Sequence, residues 1–141
     1  MRELREGDMV MPKRILAVDD SEALRNLLMA LLSRAGYEVA LSPDGRDALK
    51  KLKSFEPDLI LLDIQMPRLT GWEFLELAHK QHDLDDVPVI IFAGMPEPGE
   101  DEREMARRYA AYVTKKVRGE ELLDLIERVL AGELPDQDAE E

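Results

Sequence analysis

Residues 57–75 read PDLILLDIQMPRLTGWEFL and carry the most informative pattern in the chain. The continuous apolar run Leu59–Leu62 is typical of a strand that is buried on both faces of a parallel sheet. The run ends on Asp63, and Thr70 and Gly71 then precede an aromatic-rich segment with helical periodicity. The stretch therefore predicts a buried strand, an acid at its carboxyl end, a loop and a helix.

The same alternation of strand and helix extends along the chain in both directions. Further strands are predicted at Ile15–Val18, Glu38–Ser42, Val89–Phe92 and Tyr112–Thr114, the second and fourth of these being mixed enough for sheet edges. Helices are predicted from Asp20 or Ser21 to just before Gly36, from about Asp44, after Gly71, over roughly Gly99–Ala110 and over roughly Gly119–Ala131. Five strand–helix units predict an α/β fold, a parallel sheet with helices on both faces.

Composition narrows the function classes. The 141 residues fit one domain, with an N-terminal extension expected at 1–12, a folded domain at 13–131 and an acidic C-terminal tail at 132–141. No apolar run could span a membrane, there is no secretory signal and there are no cysteines, so a cytoplasmic protein without disulfides is expected. The formal net charge is -12. Direct nucleic-acid contact is not expected, because phosphate contact needs a basic surface. A membrane partner is not expected either.

Acidic and basic residues follow the predicted strands at one edge of the sheet. Asp19 and Asp20 follow the first strand, Asp63 follows the third and Lys115 follows the fifth. Ligands bind at the carboxyl edge of such sheets. Three carboxylates that meet there either shift a pKa or bind a hard divalent cation such as Mg²⁺. A metal-bound aspartate beside a lysine is suited to phosphoryl transfer, with the carboxylate as nucleophile.

Five segments carry a resemblance to a known family: ILAVDDSEALR, PDGRDAL, PDLILLDIQMPRLTGWEFL, VPVIIFAG and YVTKK. From about Arg14 to Leu130 the chain resembles the receiver domain of two-component response regulators. The resemblance implies a doubly wound, flavodoxin-like sheet of five parallel strands in the order 2-1-3-4-5 with five helices. It also implies that the chain is not an enzyme in the ordinary sense, but assists only its own phosphorylation and dephosphorylation.

The family's site residues can be placed on this sequence. Asp63 resembles the phosphoacceptor, and Asp19 and Asp20 resemble the acidic pair that holds Mg²⁺ together with Asp63. The backbone carbonyl of Gln65 would complete the protein ligands, and Lys115 resembles the lysine that pairs with the acceptor carboxylate and then with the phosphoryl group. The implied phosphate donor is a histidine kinase, a histidine phosphotransfer protein or a small molecule such as acetyl phosphate.

Three features depart from the family pattern. Ala93 stands where a Thr or Ser hydroxyl is usual, so Tyr112, which resembles the aromatic switch residue, is expected to point inward whether or not Asp63 is modified. Lys116 stands where proline is usual, which predicts a trans peptide bond. The segment after Gly99 lacks the usual glycine turn before the fifth strand. All three lie on the side of the domain that family members use for output.

These patterns favour a stand-alone receiver that signals by protein–protein contact with an unknown downstream protein. One alternative is a phosphorylation-independent adaptor with an atypical output face, which Ala93, Lys116 and the unusual fourth helix favour. It is opposed by the intact set of Asp19, Asp20, Asp63 and Lys115. A second alternative is a small phosphatase of the haloacid dehalogenase type. That class needs a second acid two residues after the nucleophile, where this chain has glutamine, and the chain has no room for a cap domain.

Overall fold

The computed structural model describes residues 11–66, 68–82, 86–94 and 111–133. Its centre is a sheet in which every neighbouring pair of strands is parallel. The strands are β1 (Arg14–Val18), β2 (Glu38–Ser42), β3 (Leu59–Leu62), β4 (Val89–Ala93) and β5 (Ala111–Thr114). Their order across the sheet is β2-β1-β3-β4-β5. The expected strand order is confirmed, with the two mixed strands at the edges.

Four helices are described, and each agrees closely with its sequence pattern: α1 (Glu22–Arg34), α2 (Gly45–Phe55), α3 (Gly71–His82) and α4 (Gly119–Leu130). The further helix predicted over Gly99–Ala110 lies outside the described residues. So do most of the N-terminal extension and of the acidic tail, so the domain boundaries stay a prediction. In the part of the chain that the structure describes, no helix is long and apolar enough to cross a membrane.

Side-chain caps fix where three of the helices begin. The Ser21 hydroxyl accepts a hydrogen bond from the amide three residues further on at 3.2 Å, and the Asp44 carboxylate does the same at 2.8 Å. At α3 the caps are reciprocal, because the Glu73 amide donates to Thr70 Oγ1 and the Thr70 amide donates to Glu73 Oε1. Such caps each stabilise a helix by about 1 kcal/mol. They also fix the length of the loops at the carboxyl edge of the sheet.

The side chains of the central strands alternate between two cores, one on each face of the sheet. Leu16, Val18, Ile60 and Leu62 pack with α2 and α3 on one face. The alternate residues of the same strands, among them Ile15 and Leu61, pack with α1 and α4 on the other. Each side chain named here is at most 1% exposed, which stabilises the fold by roughly 1.5–3 kcal/mol per residue. Because helices cover both faces of the sheet, the ends of its strands are the places where a functional site can form.

Candidate functional site

Strand register brings two acids together at the carboxyl edge of the sheet. Val18 of β1 and Leu62 of β3 are partners in the parallel ladder, so the residues that follow them, Asp19 and Asp63, emerge side by side. The Asp63 amide donates to the Val18 carbonyl at 2.9 Å, and the Asp19 amide donates to the Ser42 carbonyl of β2 at 3.0 Å. Both acids are therefore held by the sheet itself rather than by a loop.

Asp20 completes a cluster of three carboxylates. One carboxylate oxygen from each of Asp19, Asp20 and Asp63 lies within 4.8 Å of the other two. Asp19 and Asp63 are each only 1% exposed, whereas Asp20 is exposed to solvent. At such separations and an effective dielectric constant of about 20, each ionised pair repels by roughly 3–4 kcal/mol. The cluster therefore needs cations.

Lys115, directly after β5, supplies one of these cations. Its Nζ lies 2.9 Å from Asp19 Oδ2 and 3.3 Å from Asp63 Oδ2. Burial lowers the pKa of Lys115, but the facing carboxylates of Asp19 and Asp63 outweigh burial and leave that pKa above its ordinary value. The lysine is thus charged at neutral pH and lies within ion-pair distance of two acids.

The two oxygens of Asp63 are in different environments. Oδ1 accepts a hydrogen bond from the Gln65 amide at 2.9 Å, which fixes the carboxylate plane. Oδ2 is buried and accepts no hydrogen bond from the described residues, although it lies within ion-pair distance of Lys115. Burial raises the pKa of Asp63 to about 6; the Gln65 amide opposes the rise, the Asp19 charge adds to it and Lys115 opposes it.

Gly71 closes the loop behind Asp63. Its amide donates to the Ile64 carbonyl at 3.2 Å. A Cβ at this position would lie 2.6 Å from Ile64 Cα and 2.8 Å from the Asp63 carbonyl oxygen, which is too close for any side chain. The glycine that begins α3 is therefore required by the close approach of this helix to the strand end that carries Asp63.

Asp19 is oriented by contacts from the start of α1. The Ser21 amide donates to Asp19 Oδ1 at 2.8 Å, and the Arg25 guanidinium Nη1 donates to the backbone carbonyl of Asp19 at 2.8 Å. Arg25 was not among the sequence-predicted site residues. The signal that could have found it is an arginine in the first turns of a helix that begins immediately after the acidic pair.

The donor set fits a hard divalent cation. It consists only of oxygen ligands, the kind that Mg²⁺ prefers. Asp19 Oδ2 and Asp63 Oδ2 are both buried, and the described residues bring only the Lys115 ammonium close to them, so the charge of the acids is not balanced by the protein alone. With Lys115 charged and three carboxylates ionised, the formal charge of the cluster is -2, which one divalent cation neutralises. The predicted carbonyl ligand, that of Gln65, stays a prediction.

The residues predicted for the output side are only partly described. Ala93 is the last residue of β4 and pairs with Thr114, and Tyr112 pairs with Ile91. The Tyr112 side chain lies outside the described part of the structure, so its expected inward orientation stays a prediction. The peptide bond before Lys116 is trans, as expected for a residue other than proline.

Comparison with known proteins identifies the family. The family model described as "Response regulator receiver domain" matches residues 15–127. The response regulator MprA of Mycolicibacterium vanbaalenii is 37% identical over 131 residues, which cover 93% of this chain and 56% of that protein. The chain thus spans about half the length of this relative. The polar-differentiation response regulator DivK of Brucella anthropi is 31% identical over 85% of this chain and 98% of its own length.

Solved structures agree with this likeness. The chemotaxis protein CheY4 of Vibrio cholerae superposes with a TM-score of 0.76 and 32% identity, covering 84% of this chain and 98% of its own. The family match, the strand order and the acidic edge of the sheet lead to one conclusion. The chain belongs to the response regulator receiver domain family of two-component signalling.

Proposed function

We propose that this receiver domain accepts a phosphoryl group on Asp63 in a Mg²⁺-dependent reaction. The observation that carries the proposal is the environment of Asp63 Oδ2, which is buried, free of hydrogen bonds from the described residues and 3.3 Å from Lys115 Nζ. A carboxylate oxygen with free lone pairs beside a fixed ammonium group is suited to nucleophilic attack on phosphorus. At a pKa of about 6, Asp63 is mostly ionised at pH 7 and is therefore available as the nucleophile.

The residues divide the work of the transfer. A lone pair of Asp63 Oδ2 forms the new P–O bond while the bond from phosphorus to the donor breaks, and the donor leaves with the electron pair. The Gln65 amide, bonded to Oδ1, holds the carboxylate plane during the attack. The Lys115 ammonium stays paired with Asp19 and contacts the incoming phosphoryl oxygens.

Asp19, Asp20 and Asp63 would hold the Mg²⁺ ion. The ion would supply charge neutralisation at the oxygens of the transferred group, as magnesium does in phosphoryl transfer. Receiver domains bind Mg²⁺ at an acidic pocket of this kind, and the buried, incompletely neutralised carboxylates of Asp19 and Asp63 support the same role here. Gln65 would add its backbone carbonyl.

The proposed donor is a histidine kinase or a histidine phosphotransfer protein, from which receiver domains take phosphate. The product signals by contact with a downstream protein rather than by acting on a separate substrate. The net charge of -12 supports a protein partner over direct contact with nucleic acid.

A second candidate function rests on Ala93. Its position at the end of β4 lacks the hydroxyl that would donate to a phosphoryl oxygen, a charged hydrogen bond worth roughly 1.5–3 kcal/mol. Without that bond, phosphorylation of Asp63 is coupled less strongly to the conformation of the output side. The alternative is a receiver-like adaptor that binds its partner whether or not Asp63 is modified, with Tyr112 in one rotamer in both states. A large rotamer change of Tyr112 on phosphorylation would exclude that rotamer hypothesis.

The deciding experiment is intact-mass analysis after incubation with Mg²⁺ and acetyl phosphate. We expect one phosphoryl adduct in the wild-type protein, none in Asp63→Ala and an unchanged adduct in Asp86→Ala, which alters an exposed acid outside the cluster. EDTA should abolish the adduct. If neither acetyl phosphate nor a phosphorylated histidine kinase gives an adduct, the phosphoacceptor function is refuted and the adaptor function is favoured.

A further inference from the structure

The peptide bond that joins Asp19 to Asp20 is held from α1. Arg25 is partly buried, and its Nη1 donates to the Asp19 carbonyl oxygen, which belongs to that peptide, at 2.8 Å. Within the described ranges Arg25 has no carboxylate within ion-pair distance. Its hydrogen bond is therefore directed at the backbone of the acidic pair and not at a side-chain partner.

Two further hydrogen bonds act near this peptide, and neither of them contacts its carbonyl oxygen. The Asp19 amide is fixed by the Ser42 carbonyl, and Asp19 Oδ1 is fixed by the Ser21 amide. The first of these bonds holds Asp19, and the second spans Asp20 and constrains this peptide from the amino side of α1, whereas the Asp20 side chain itself is exposed. The orientation of the peptide plane between them determines where the Asp20 carboxylate lies relative to Asp19. Arg25 is the described side chain that holds the carbonyl of this peptide.

We propose that Arg25 is a positioning residue that sets the Mg²⁺ affinity of the site by holding the Asp19–Asp20 peptide. The inference rests on the proposed function for the metal site and deepens it. Residues that orient metal ligands from behind commonly change metal affinity about 10-fold or more when they are replaced. The contact also links the first turns of α1 to the site. A partner that moves α1 would therefore change the Mg²⁺ affinity of the site, and Mg²⁺ binding would change the affinity for that partner by the same factor.

The sign of the effect separates positioning from simple electrostatics. Arg25 carries a positive charge close to a site for a cation, so its removal would strengthen Mg²⁺ binding if only charge mattered. Loss of a fixed peptide plane has the opposite effect, because Mg²⁺ demands a near-ideal octahedral arrangement of its ligands. Weaker binding after removal of a positive charge is therefore a signature of positioning.

The test is a calorimetric titration of the full-length chain with Mg²⁺ alone, with no phosphate donor present. We expect Arg25→Met to raise the dissociation constant about 10-fold. Arg25→Lys, which keeps the charge but lacks the planar donor fork, should also weaken binding. The matched control is Arg34→Met, an exposed arginine in the last turn of the same helix, which should bind within about twofold of wild type. Urea unfolding of each variant identifies any that is not folded.

Each outcome decides the inference. Weaker binding by both Arg25 variants with an unchanged control supports it. Unchanged or tighter binding by Arg25→Met overturns it, because that is the result expected if Arg25 acts only through its charge. If Arg25→Met does not fold, Arg25→Lys is decisive by the same criterion. Failure of the proposed phosphoacceptor function would appear elsewhere, as absence of the mass adduct, which this titration does not use.

Discussion

Replacing Asp63 with asparagine is expected to stabilise the protein at neutral pH when Mg²⁺ is absent. Burial and the neighbouring Asp19 charge raise the Asp63 pKa from 3.8 to about 6, despite the Gln65 amide and Lys115. A raised carboxyl pKa means that the folded state binds the proton more tightly than the unfolded state does. Ionisation of Asp63 therefore costs stability, and a neutral amide of the same shape removes that cost.

The size of the effect follows from the two pKa values. A pKa difference of one unit corresponds to about 1.4 kcal/mol, so ionised Asp63 lowers the free energy of unfolding by about 3 kcal/mol at pH 7. The penalty is absent well below pH 4, grows between pH 4 and pH 6, and is constant above. We therefore expect the advantage of Asp63→Asn to fall from about 3 kcal/mol at pH 7 to about 0.6 kcal/mol at pH 4.

The assay is urea unfolding in EDTA at pH 4, 5, 6 and 7, monitored by circular dichroism. Asp86→Asn is the matched control, because Asp86 is exposed and outside the cluster, and it should change stability by less than about 0.5 kcal/mol. Saturating Mg²⁺ should remove most of the Asp63→Asn advantage, since the ion stabilises the carboxylate form. An asparagine variant that is no more stable than wild type at pH 7 would refute the electrostatic reasoning.

Three further substitutions, one of them with a matched control, test the residues that hold the site in place. Each is measured by urea unfolding. Lys115→Met should lower the free energy of unfolding by about 2 kcal/mol in EDTA at pH 7, because two buried carboxylates lose their cation. The loss should be smaller with Mg²⁺ present, and equal losses in both buffers would contradict this reasoning. Gly71→Ala should lower the free energy of unfolding by about 3 kcal/mol, because the new Cβ would contact backbone atoms. In the control Gly119→Ala the Cβ meets only the flexible end of Leu31, so stability should stay within about 0.5 kcal/mol of wild type. Equal losses in the two variants would contradict the packing argument. Asp44→Ala should cost about 1 kcal/mol through loss of the α2 cap, and a neutral result would show that the cap is dispensable.

Much of the fold could be predicted because its signals are local and agree with one another. Leu59–Leu62 is apolar throughout and becomes a central strand, while the mixed run Glu38–Ser42 becomes an edge. The acidic cluster follows from the same logic, since residues after neighbouring parallel strands must meet at one edge. The sequence left Asp20 and Ser21 as alternatives for the α1 cap, and the structure shows Ser21.

Contacts that depend on side-chain reach could not be predicted in the same way. The bond from Arg25 to the Asp19 carbonyl depends on the angle at which α1 leaves the sheet, which no periodicity encodes. Residues other than glycine with a positive φ could not be predicted from the sequence either. Glu56 ends α2 at a φ of 54°, and Arg68 lies in the loop after β3 at a φ of 71°, although neither is glycine. Sequence patterns look for glycine at such positions because other residues pay about 1 kcal/mol there.

The register of β1 against β3 also limits how this domain can change in length. Asp19 and Asp63 meet because Val18 and Leu62 are partners, and side chains along a strand alternate between faces. An insertion or deletion of one residue inside either strand would turn its terminal acid toward the opposite face and break the site without altering any site residue. Length changes that leave both strands whole, such as those in loops at the opposite edge of the sheet, do not disturb this pairing. There, variation in loop length can accumulate while the chemistry at the carboxyl edge stays fixed.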